Sequence, residues 1–321
     1  MNVAVIGIGS MGIHHARIYN EMENVNLVSI SDVDEKKGNK YAKKYKCKFY
    51  KDFNKMFNNE KIDAVSICVP TSLHKKVALD VAKRDIDILI EKPIAESELS
   101  ALKIINTTRK RDLILMVGHI ERFNPAIIKL KRILDSGKLG EIISLNIKRV
   151  GIFPPRIKDS NVIIDLAIHD IDISNYLLDS YPDTVFAKGG SALLNERKDY
   201  AEIFLIYKNT NVLIQVNWIT PVKIRNLTIT GKRGYAELDY ITQDLYIYEN
   251  NIYKEYDDFG DFIIKFGKPK KIKQRVEKVE PLKLELEHFI NCVKNRKKPK
   301  ISGDEALNAL KIAKKVIDKI K

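Results

Sequence analysis

The stretch NVAVIGIGSMG at residues 2–12 decides the fold. A short apolar run leads directly into a GxGxxG motif, and the pattern of an amphipathic helix follows. In such a turn the first glycine permits a tight bend, the second lets the backbone approach a pyrophosphate, and the third allows helix and strand to pack closely. We therefore expect this loop to bind a dinucleotide through Gly7, Gly9, Ser10, Met11 and Gly12.

Asp32 strengthens this prediction. It stands 20 residues after Gly12, at the end of the second apolar run, NLVSISDV. A carboxylate at that place can accept hydrogen bonds from both ribose hydroxyls of an adenosine. It would repel a 2'-phosphate, and no Arg follows to bind one, so the sequence favours NAD over NADP. The alternative is a glycine-rich turn beside an exposed Asp that binds nothing.

The first 120 residues alternate apolar strands with amphipathic helices. The strands are NVAVIGI, NLVSISDV, DAVSICV, DILIEKP and LILMVGH, and the helices lie at about 11–22, 35–46, 71–84 and 96–110. Short Val/Ile/Leu runs are typical of strands that are buried on both faces of a parallel sheet. Repeated strand–helix–strand units predict an α/β fold with a doubly wound parallel sheet, and we assign residues 1–120 to a Rossmann dinucleotide-binding domain.

The pattern changes near Pro125. A helix at 125–136 precedes several strands with hairpin spacing, and two helices close the chain, the last one capped by Ser302 or Asp304. We assign residues 121–321 to a second α/β domain with an open, mostly antiparallel sheet that binds substrate and mediates oligomerisation.

Composition limits the classes of function. With 321 residues, 45% of them hydrophobic, the chain can build two cores, and its apolar runs are too short to cross a bilayer. Three scattered cysteines without a CxxC pair suggest a cytoplasmic protein and no metal site. The net charge of +14 allows nucleic-acid binding as an alternative, but the lysines are spread along helix faces. The densest basic stretch, 265–275, is predicted to be a surface loop.

Two further groups of residues follow strands of the parallel sheet. Ligands of open α/β sheets lie at the carboxyl ends of the strands. We expect Glu91 and Lys92 of the EKP stretch at this edge, together with Pro70, Thr71 and His74, all in contact with the cofactor. A lone lysine is otherwise most often a solvated surface residue.

IIDLAIHDID at 163–172 places ionisable groups in an apolar helix. Residues four apart share a helix face, so Asp165 and His169 should project together. A carboxylate beside an imidazole fixes its tautomer and makes it a better base. The alternatives are a surface ion pair or a hydrogen-bonded core histidine.

Four motifs in order, GIGSMG, EKP, GHIERFNP at 118–125 and DLAIHDID, resemble the Gfo/Idh/MocA family of nicotinamide-dependent sugar and cyclitol oxidoreductases. GHIERFNP, the PPR segment and NWITPVKIRNLTITG resemble its branch of UDP-N-acetylglucosamine 3-dehydrogenases. The resemblance implies oxidation of the 3-hydroxyl of a UDP-sugar to the 3-keto sugar, which would feed 3-amino sugar biosynthesis. Oxidation of a free sugar or inositol and a non-catalytic NAD-binding regulator remain as alternatives.

The resemblance also implies roles for individual residues. Lys92 would lie beside the reacting hydroxyl and His169, oriented by Asp165, would accept its proton, although either Lys92 or His169 could be the base. Family members commonly pair through the second-domain sheet, which predicts a homo-oligomer. For substrate binding we expect four cations that suit a pyrophosphate, Arg122, Arg156, Lys223 and Arg225, and one amide, Asn124. Each cation could instead be structural. Trp218 fits either a site or the core.

Overall fold

The computed structural model describes residues 1–153, 160–193, 197–250, 252–256, 262–267 and 269–320, with the side chains of 252–256 and 262–266 left aside. The chain forms two compact units: Met1–Ile120 with Glu280–Lys311, and Glu121–Val279 with Ile312–Lys321. The first unit thus includes residues 280–311, which the sequence analysis assigned to the second domain. Helix Pro281–Asn295 of this segment contacts helix Gly12–Glu21, and its Leu282, Leu286 and Phe289 are buried.

The first unit contains a six-stranded parallel sheet of order β3-β2-β1-β4-β5-β6. Its strands are β1 (Asn2–Ile6), β2 (Asn26–Ser31), β3 (Lys48–Tyr50), β4 (Ala64–Ile67), β5 (Asp87–Glu91) and β6 (Leu115–Gly118). Its helices are α1 (Gly12–Glu21), α2 (Glu35–Tyr45), α3 (Phe53–Asn59), α4 (Thr71–Ala82) and α5 (Glu98–Lys110), joined by α8 (Pro281–Asn295). This strand order is that of the Rossmann fold, and it confirms the predicted doubly wound sheet.

The order reverses between β1 and β4, so the carboxyl ends of these two strands leave a crevice at that point. A dinucleotide binds at such a switch point in this class of fold. The glycine motif follows β1 and Pro70 follows β4, which places both segments at the crevice.

The second unit contains an eight-stranded sheet of order β16-β13-β12-β11-β7-β10-β9-β8. Its strands are β7 (Ile142–Ile152), β8 (Thr184–Gly190), β9 (Tyr200–Tyr207), β10 (Thr210–Asn217), β11 (Ile219–Gly231), β12 (Gly234–Asp239), β13 (Asp244–Glu249) and β16 (Lys270–Lys273); β14 (Ile252–Tyr256) and β15 (Phe262–Phe266) form a separate hairpin. Every adjacent pair in the large sheet is antiparallel except β7 and β10. The prediction of a mostly antiparallel sheet is confirmed.

Helices cover one face of this sheet. They are a 3-10 turn (Ile120–Phe123), α6 (Pro125–Asp135), a π turn (Ile163–Ala167) and α7 (Ile168–Leu178), and α9 (Gly303–Lys319) ends the chain. Ser302 precedes α9, and its backbone N–H and its hydroxyl both donate to Glu305 Oε2. Ser302 rather than Asp304 is therefore the cap.

The strands predicted near 212–220 and 224–230 are present as β10 and β11, although β11 begins already at Ile219, with a bulge between Ile219 and Ile224. One local expectation was wrong. The stretch 265–275 is not wholly a loop, because Lys270–Lys273 forms the edge strand β16. Its lysines suit an exposed edge, where charge opposes pairing with another sheet. In the described part of the chain, no helix is both long and apolar enough to cross a membrane.

Candidate functional site

The glycine loop of the first unit has the geometry that its motif requires. Gly7 adopts a φ of +89°, and a Cβ atom there would lie 2.7 Å from the carbonyl oxygen of Cys68. A Cβ at Gly12 would lie 1.8 Å from the carbonyl oxygen of Gly7. Only glycine fits these positions, and α1 begins directly at the loop, so that the N-terminal end of the helix, which favours anions, lies there. Ser10 is exposed and Met11 half-buried within the loop.

Asp32 binds the same loop. One carboxylate oxygen accepts the N–H of Ile8 at 2.6 Å, and the other accepts the N–H of Asp34 at 2.8 Å. Each oxygen keeps a lone pair for a ribose hydroxyl. Asp32 therefore orders the glycine loop, a role that the sequence did not reveal.

A cavity of about 380 Å³ opens beside Asp32 and the loop. A lining that combines apolar side chains with the Asp32 carboxylate suits an adenine ring with its ribose. The residues that line it are Ile6, Gly7, Gly9, Ser31, Asp32, Val33, Asp34, Lys37, Lys51, Phe53, Cys68, Val69, Pro70, Leu73 and Val77. Glycines that admit close backbone approach, together with this cavity, fit NAD.

The EKP turn ends β5. Lys92 is half-buried, and its peptide bond to Pro93 is cis. The buried Glu91 accepts the backbone N–H of Lys92 at 3.3 Å and contacts His15 Nε2 at 3.0 Å. Burial opposes the charge on Glu91, but the His15 hydrogen bond and nearby positive charge outweigh it and lower the pKa of that carboxyl. Glu91 is therefore an internal residue, whereas Lys92 is only half-buried.

His74, expected at the cofactor, lies in the interior instead. It is 1% exposed, and its two ring nitrogens lie 2.9 Å from the Pro93 carbonyl oxygen and 3.0 Å from that of Val69. Burial lowers the pKa of His74. Thr71 is half-buried as the first residue of α4, and Pro70 is exposed at the cavity.

His15, Cys68 and Glu91 bring potential ligand atoms within 4.8 Å of one another, a grouping that could hold a metal ion. Burial and the nearby carboxylates raise the pKa of the Cys68 thiol well above its ordinary value, which opposes the thiolate that a metal needs. His15 and Glu91 are also bonded directly. These facts favour a hydrogen-bonded pair over a metal centre.

In the second unit, the helix predicted at 163–172 consists of a π turn followed by α7, which continues to Leu178. Nearly all of α7 is buried, so it is a core helix rather than an amphipathic one. Asp165 in the π turn and His169 in the first turn of α7 are half-buried. π turns often occur at functional sites because they change the direction of side chains.

The other two carboxylates of this segment are buried and paired. Asp170 contacts Arg149 of β7, whose Nε lies 2.9 Å from both carboxylate oxygens. Asp172 accepts Nε and Nη2 of Arg122 at 2.8 Å and 2.7 Å. Of the four ionisable groups in 163–172, Asp165 and His169 are thus the two that solvent reaches.

The expected substrate residues divide into two groups. The first group is buried: Arg122 forms an ion pair with Asp172, and Asn124 is 1% exposed. Asn124 caps α6 by accepting the Ala126 N–H and donates to the Tyr240 carbonyl oxygen. Arg225 is half-buried, and Lys223 is exposed on the same strand. Burial, followed by the charge of Arg149, lowers the pKa of Arg225. Arg156 lies outside the described residues.

Arg225 uses one nitrogen, Nη1, to donate to the carbonyl oxygens of Val150 and Ile224. Trp218 is 2% exposed and packs edge-on against Phe153 at 5.2 Å between ring centroids, so it belongs to the core. Lys223 and Arg225 are therefore the predicted cations of this unit that keep an exposed or half-buried position.

Sequence reasoning missed Arg149, His15 and Glu285. Arg149 could have been sought, because a buried Asp in an apolar helix needs a cation nearby. Nothing in the sequence identifies which of the 56 Lys and Arg residues supplies it. His15 stands on α1 among apolar residues and gives no signal of its own.

Comparisons with known proteins agree with this geometry. Residues 1–119 match the oxidoreductase family described as an NAD-binding Rossmann fold, and residues 131–321 match its C-terminal alpha/beta domain. A UDP-N-acetylglucosamine 3-dehydrogenase of Acidithiobacillus ferrooxidans is 30% identical over 77% of this chain and 77% of its own length. A myo-inositol 2-dehydrogenase of Thermotoga maritima is 27% identical over 97% of this chain and 93% of its own.

Solved structures give the same result. The structure of UDP-N-acetylglucosamine 3-dehydrogenase GnnA from Acidithiobacillus ferrooxidans superimposes with a TM-score of 0.87 and 26% identity, covering 100% of this chain and 97% of that one. Both family matches, the parallel sheet with its glycine loop, and the open antiparallel sheet lead to one conclusion: this chain belongs to the Gfo/Idh/MocA family of NAD-binding oxidoreductases.

Proposed function

We propose that this protein oxidises the 3-hydroxyl of a UDP-sugar, UDP-N-acetylglucosamine, to the 3-keto sugar, and so supplies a precursor for 3-amino sugars. The observation that supports this most is the pair Asp165 and His169, which are half-buried while the other two ionisable groups of 163–172, Asp170 and Asp172, are buried and paired. The 30% identity to a UDP-N-acetylglucosamine 3-dehydrogenase supports the choice of sugar.

The residues divide the chemistry as follows. His169, oriented by Asp165, takes the proton of the hydroxyl, and the Lys92 ammonium stabilises the developing alkoxide through a charge-assisted hydrogen bond. Bound NAD supplies the acceptor for the hydride. The opposite assignment, with Lys92 as the base, differs in outcome: loss of His169 would then weaken turnover much less than loss of Lys92.

Lys223 and Arg225 are our candidates for the diphosphate of the substrate. Arg225 is held by Nη1, and its Nε and Nη2 make no hydrogen bond to the described residues. A guanidinium of this kind suits bidentate binding of a phosphate. Arg122 and Asn124 have internal partners, and we assign them to holding the helices.

The experiment is to follow absorbance at 340 nm with NAD and, separately, UDP-N-acetylglucosamine, N-acetylglucosamine and myo-inositol. We expect signal with the nucleotide sugar alone. His169→Ala should lower kcat by about 10²–10⁴-fold with little change in NAD affinity, the usual contribution of a general base. Lys92→Ala should also be impaired, whereas Lys110→Ala, an exposed lysine of α5, should match wild type.

A second candidate is oxidation of a free cyclitol, favoured by the match to a myo-inositol 2-dehydrogenase over 97% of this chain. It predicts signal with myo-inositol and none that depends on UDP. If no sugar gives signal and the protein holds no reduced cofactor, the dehydrogenase proposal is wrong. The alternative of a non-catalytic NAD-binding regulator then takes its place.

We also propose a homo-oligomer that forms through the uncovered face of the eight-stranded sheet. One row crosses this face through Phe186, Phe204, Leu213, Asn146, Thr228, Glu237, Tyr246 and Lys273. Phe186 and Leu213 flank Phe204 and are 55% and 42% exposed. The next row carries both signs of charge, as an isologous contact between two copies requires.

Light scattering after size exclusion tests this proposal. Phe204→Glu should shift wild-type oligomer to monomer, because it places a charge in the apolar part of the row. Leu99→Glu, at a 74% exposed position of α5, is the matched control and should leave the mass unchanged. A wild-type monomer would refute the proposal.

A further inference from the structure

A buried histidine–carboxylate pair lies directly behind the EKP turn. His15 is fully buried on α1, three residues after the last glycine of the loop. Its Nε2 atom contacts Glu91 Oε1 at 3.0 Å, while Glu91 Oε2 accepts the backbone N–H of Lys92 at 3.3 Å. A single carboxylate therefore joins the helix that starts at the cofactor loop to the backbone of Lys92.

This carboxylate has little freedom to move. Gly118 ends β6 next to it, and a Cβ atom at that position would lie 3.2 Å from Glu91 Oε2. The residue is 8% exposed and would lose its hydrogen bonds if it turned away. A buried charge without partners is costly, so the pair is retained in one arrangement.

The other side of the turn is held as well. His74 of α4 reaches the Pro93 carbonyl oxygen with one ring nitrogen and the Val69 carbonyl oxygen with the other. Val69 lines the cavity beside Asp32. The His15 contact thus links the helix after the glycine loop to Glu91, and the His74 contact links the cavity residue Val69 to Pro93. Glu91 and Pro93 are the two chain neighbours of Lys92.

We propose that His15 and Glu91 are positioning residues that couple the glycine loop to the backbone of Lys92. When the adenosine part of the dinucleotide binds and orders the loop, the pair holds Lys92 in place for catalysis. The catalytic part rests on the proposed function. Neither residue touches substrate; both act through the Lys92 backbone.

The test uses ADP, which contains the adenosine and diphosphate of NAD but has no nicotinamide that could reach the turn. Hydrogen exchange by mass spectrometry is measured on a peptide that includes Lys92. In wild type, ADP should slow exchange about fivefold or more, the order of one hydrogen bond. His15→Gln and Glu91→Ala should bind ADP but lose this effect.

Glu91→Gln is the conservative variant, because its amide oxygen can still accept the Lys92 N–H; it should restore a large part of the coupling. Glu285→Gln is the matched control. Its carboxyl is also fully buried in this unit and interacts electrostatically with Glu91, but it has no hydrogen-bond partner among the described residues. This variant should keep the ADP-dependent slowing of exchange at the Lys92 peptide.

Steady-state kinetics give the second readout. Glu91→Ala should lower kcat by at least about tenfold, the order of effect expected for a misplaced catalytic group, with KM for NAD nearly unchanged. A purely structural role would instead lower thermal stability without the ADP-dependent difference. Unchanged coupling in folded Glu91→Ala, or a stoichiometric metal ion bound by His15, would overturn the proposal.

The two proposals fail separately. If no sugar is oxidised but ADP still orders the Lys92 peptide through His15, the proposed function is wrong and the coupling stands. If sugar oxidation is observed and all variants keep the ADP effect at the Lys92 peptide, the proposed function stands and the coupling through His15 and Glu91 is wrong.

Discussion

Replacement of Arg149 tests whether buried ion pairs hold the helix that carries His169. The Arg149 side chain is 6% exposed and that of Asp170 fully buried. Its guanidinium bonds both oxygens of Asp170, contacts Glu121 at 2.8 Å and lies over the Tyr240 ring at 4.9 Å. Burial opposes this charge, but the two carboxylates outweigh it and raise the pKa of Arg149 well above its ordinary value. Arg149→Met keeps much of the side-chain volume and removes the cation.

The expected loss in the free energy of unfolding is about 3–5 kcal/mol, the cost of leaving a buried carboxylate without its partner. With a urea dependence of about 2 kcal/mol per molar, the midpoint should fall by about 1.5–2.5 M. Asp170→Asn added to Arg149→Met removes the orphaned charge and should recover about 1–3 kcal/mol, since residues in contact couple by amounts of this order.

Fluorescence of Trp218 is a suitable assay. It is the chain's single tryptophan, it is buried in the second unit, and it therefore reports that unit's unfolding separately from the first. Lys148→Met, an exposed neighbour on β7, controls for loss of a charge and should shift the midpoint by little. If Arg149→Met lowers the urea midpoint by less than about 0.5 M, or if the double variant is less stable than the single one, this reasoning is refuted.

Two further predictions concern the first unit. Burial, with the negative charge of Glu91, raises the pKa of Glu285 well above its ordinary value, so the folded protein binds more protons than the unfolded chain above a pH of about 4.3, and its free energy of unfolding falls as pH rises from there. Glu285→Met should remove that fall and add about 1–3 kcal/mol at pH 7.5, measured by urea unfolding followed by circular dichroism; an unchanged pH slope would contradict it. Asp32→Asn leaves a single acceptor oxygen for the N–H groups of Ile8 and Asp34, so NAD affinity should fall about tenfold or more by titration calorimetry without a gain for NADP. A dissociation constant within twofold of wild type would show that the two backbone bonds contribute little.

The sequence predicted those features that depend on local pattern. The glycine motif, the alternation of apolar runs and helices, and the hairpin spacing each depend on residues close together in the chain, and the doubly wound parallel sheet followed from the crossover rule. The return of residues 280–311 to the first unit could not be predicted, because an amphipathic helix shows that it packs but not against which partner.

The same limit applies to the site. Asp165 and His169 were predicted as a pair from their spacing, yet the sequence carried no signal of the π turn that bears Asp165. The structural use of Arg122 and Asn124 was also invisible. A cation near a recognised motif looks the same in a sequence whether it binds a phosphate or an internal carboxylate.

Both proposed catalytic residues are chain neighbours of a buried carboxylate that a buried basic side chain holds. Glu91 precedes Lys92 and bonds His15, while Asp170 follows His169 and bonds Arg149. Apolar residues of similar volume could fill either position at no loss of stability, and often with a gain. A side chain bonded on two sides, however, fixes the backbone beside it more narrowly than an apolar contact does, because hydrogen bonds depend on direction. We infer that these pairs are retained for the position of the next residue, and this inference predicts that neutral apolar replacements such as Asp170→Leu with Arg149→Met will restore stability while activity stays low.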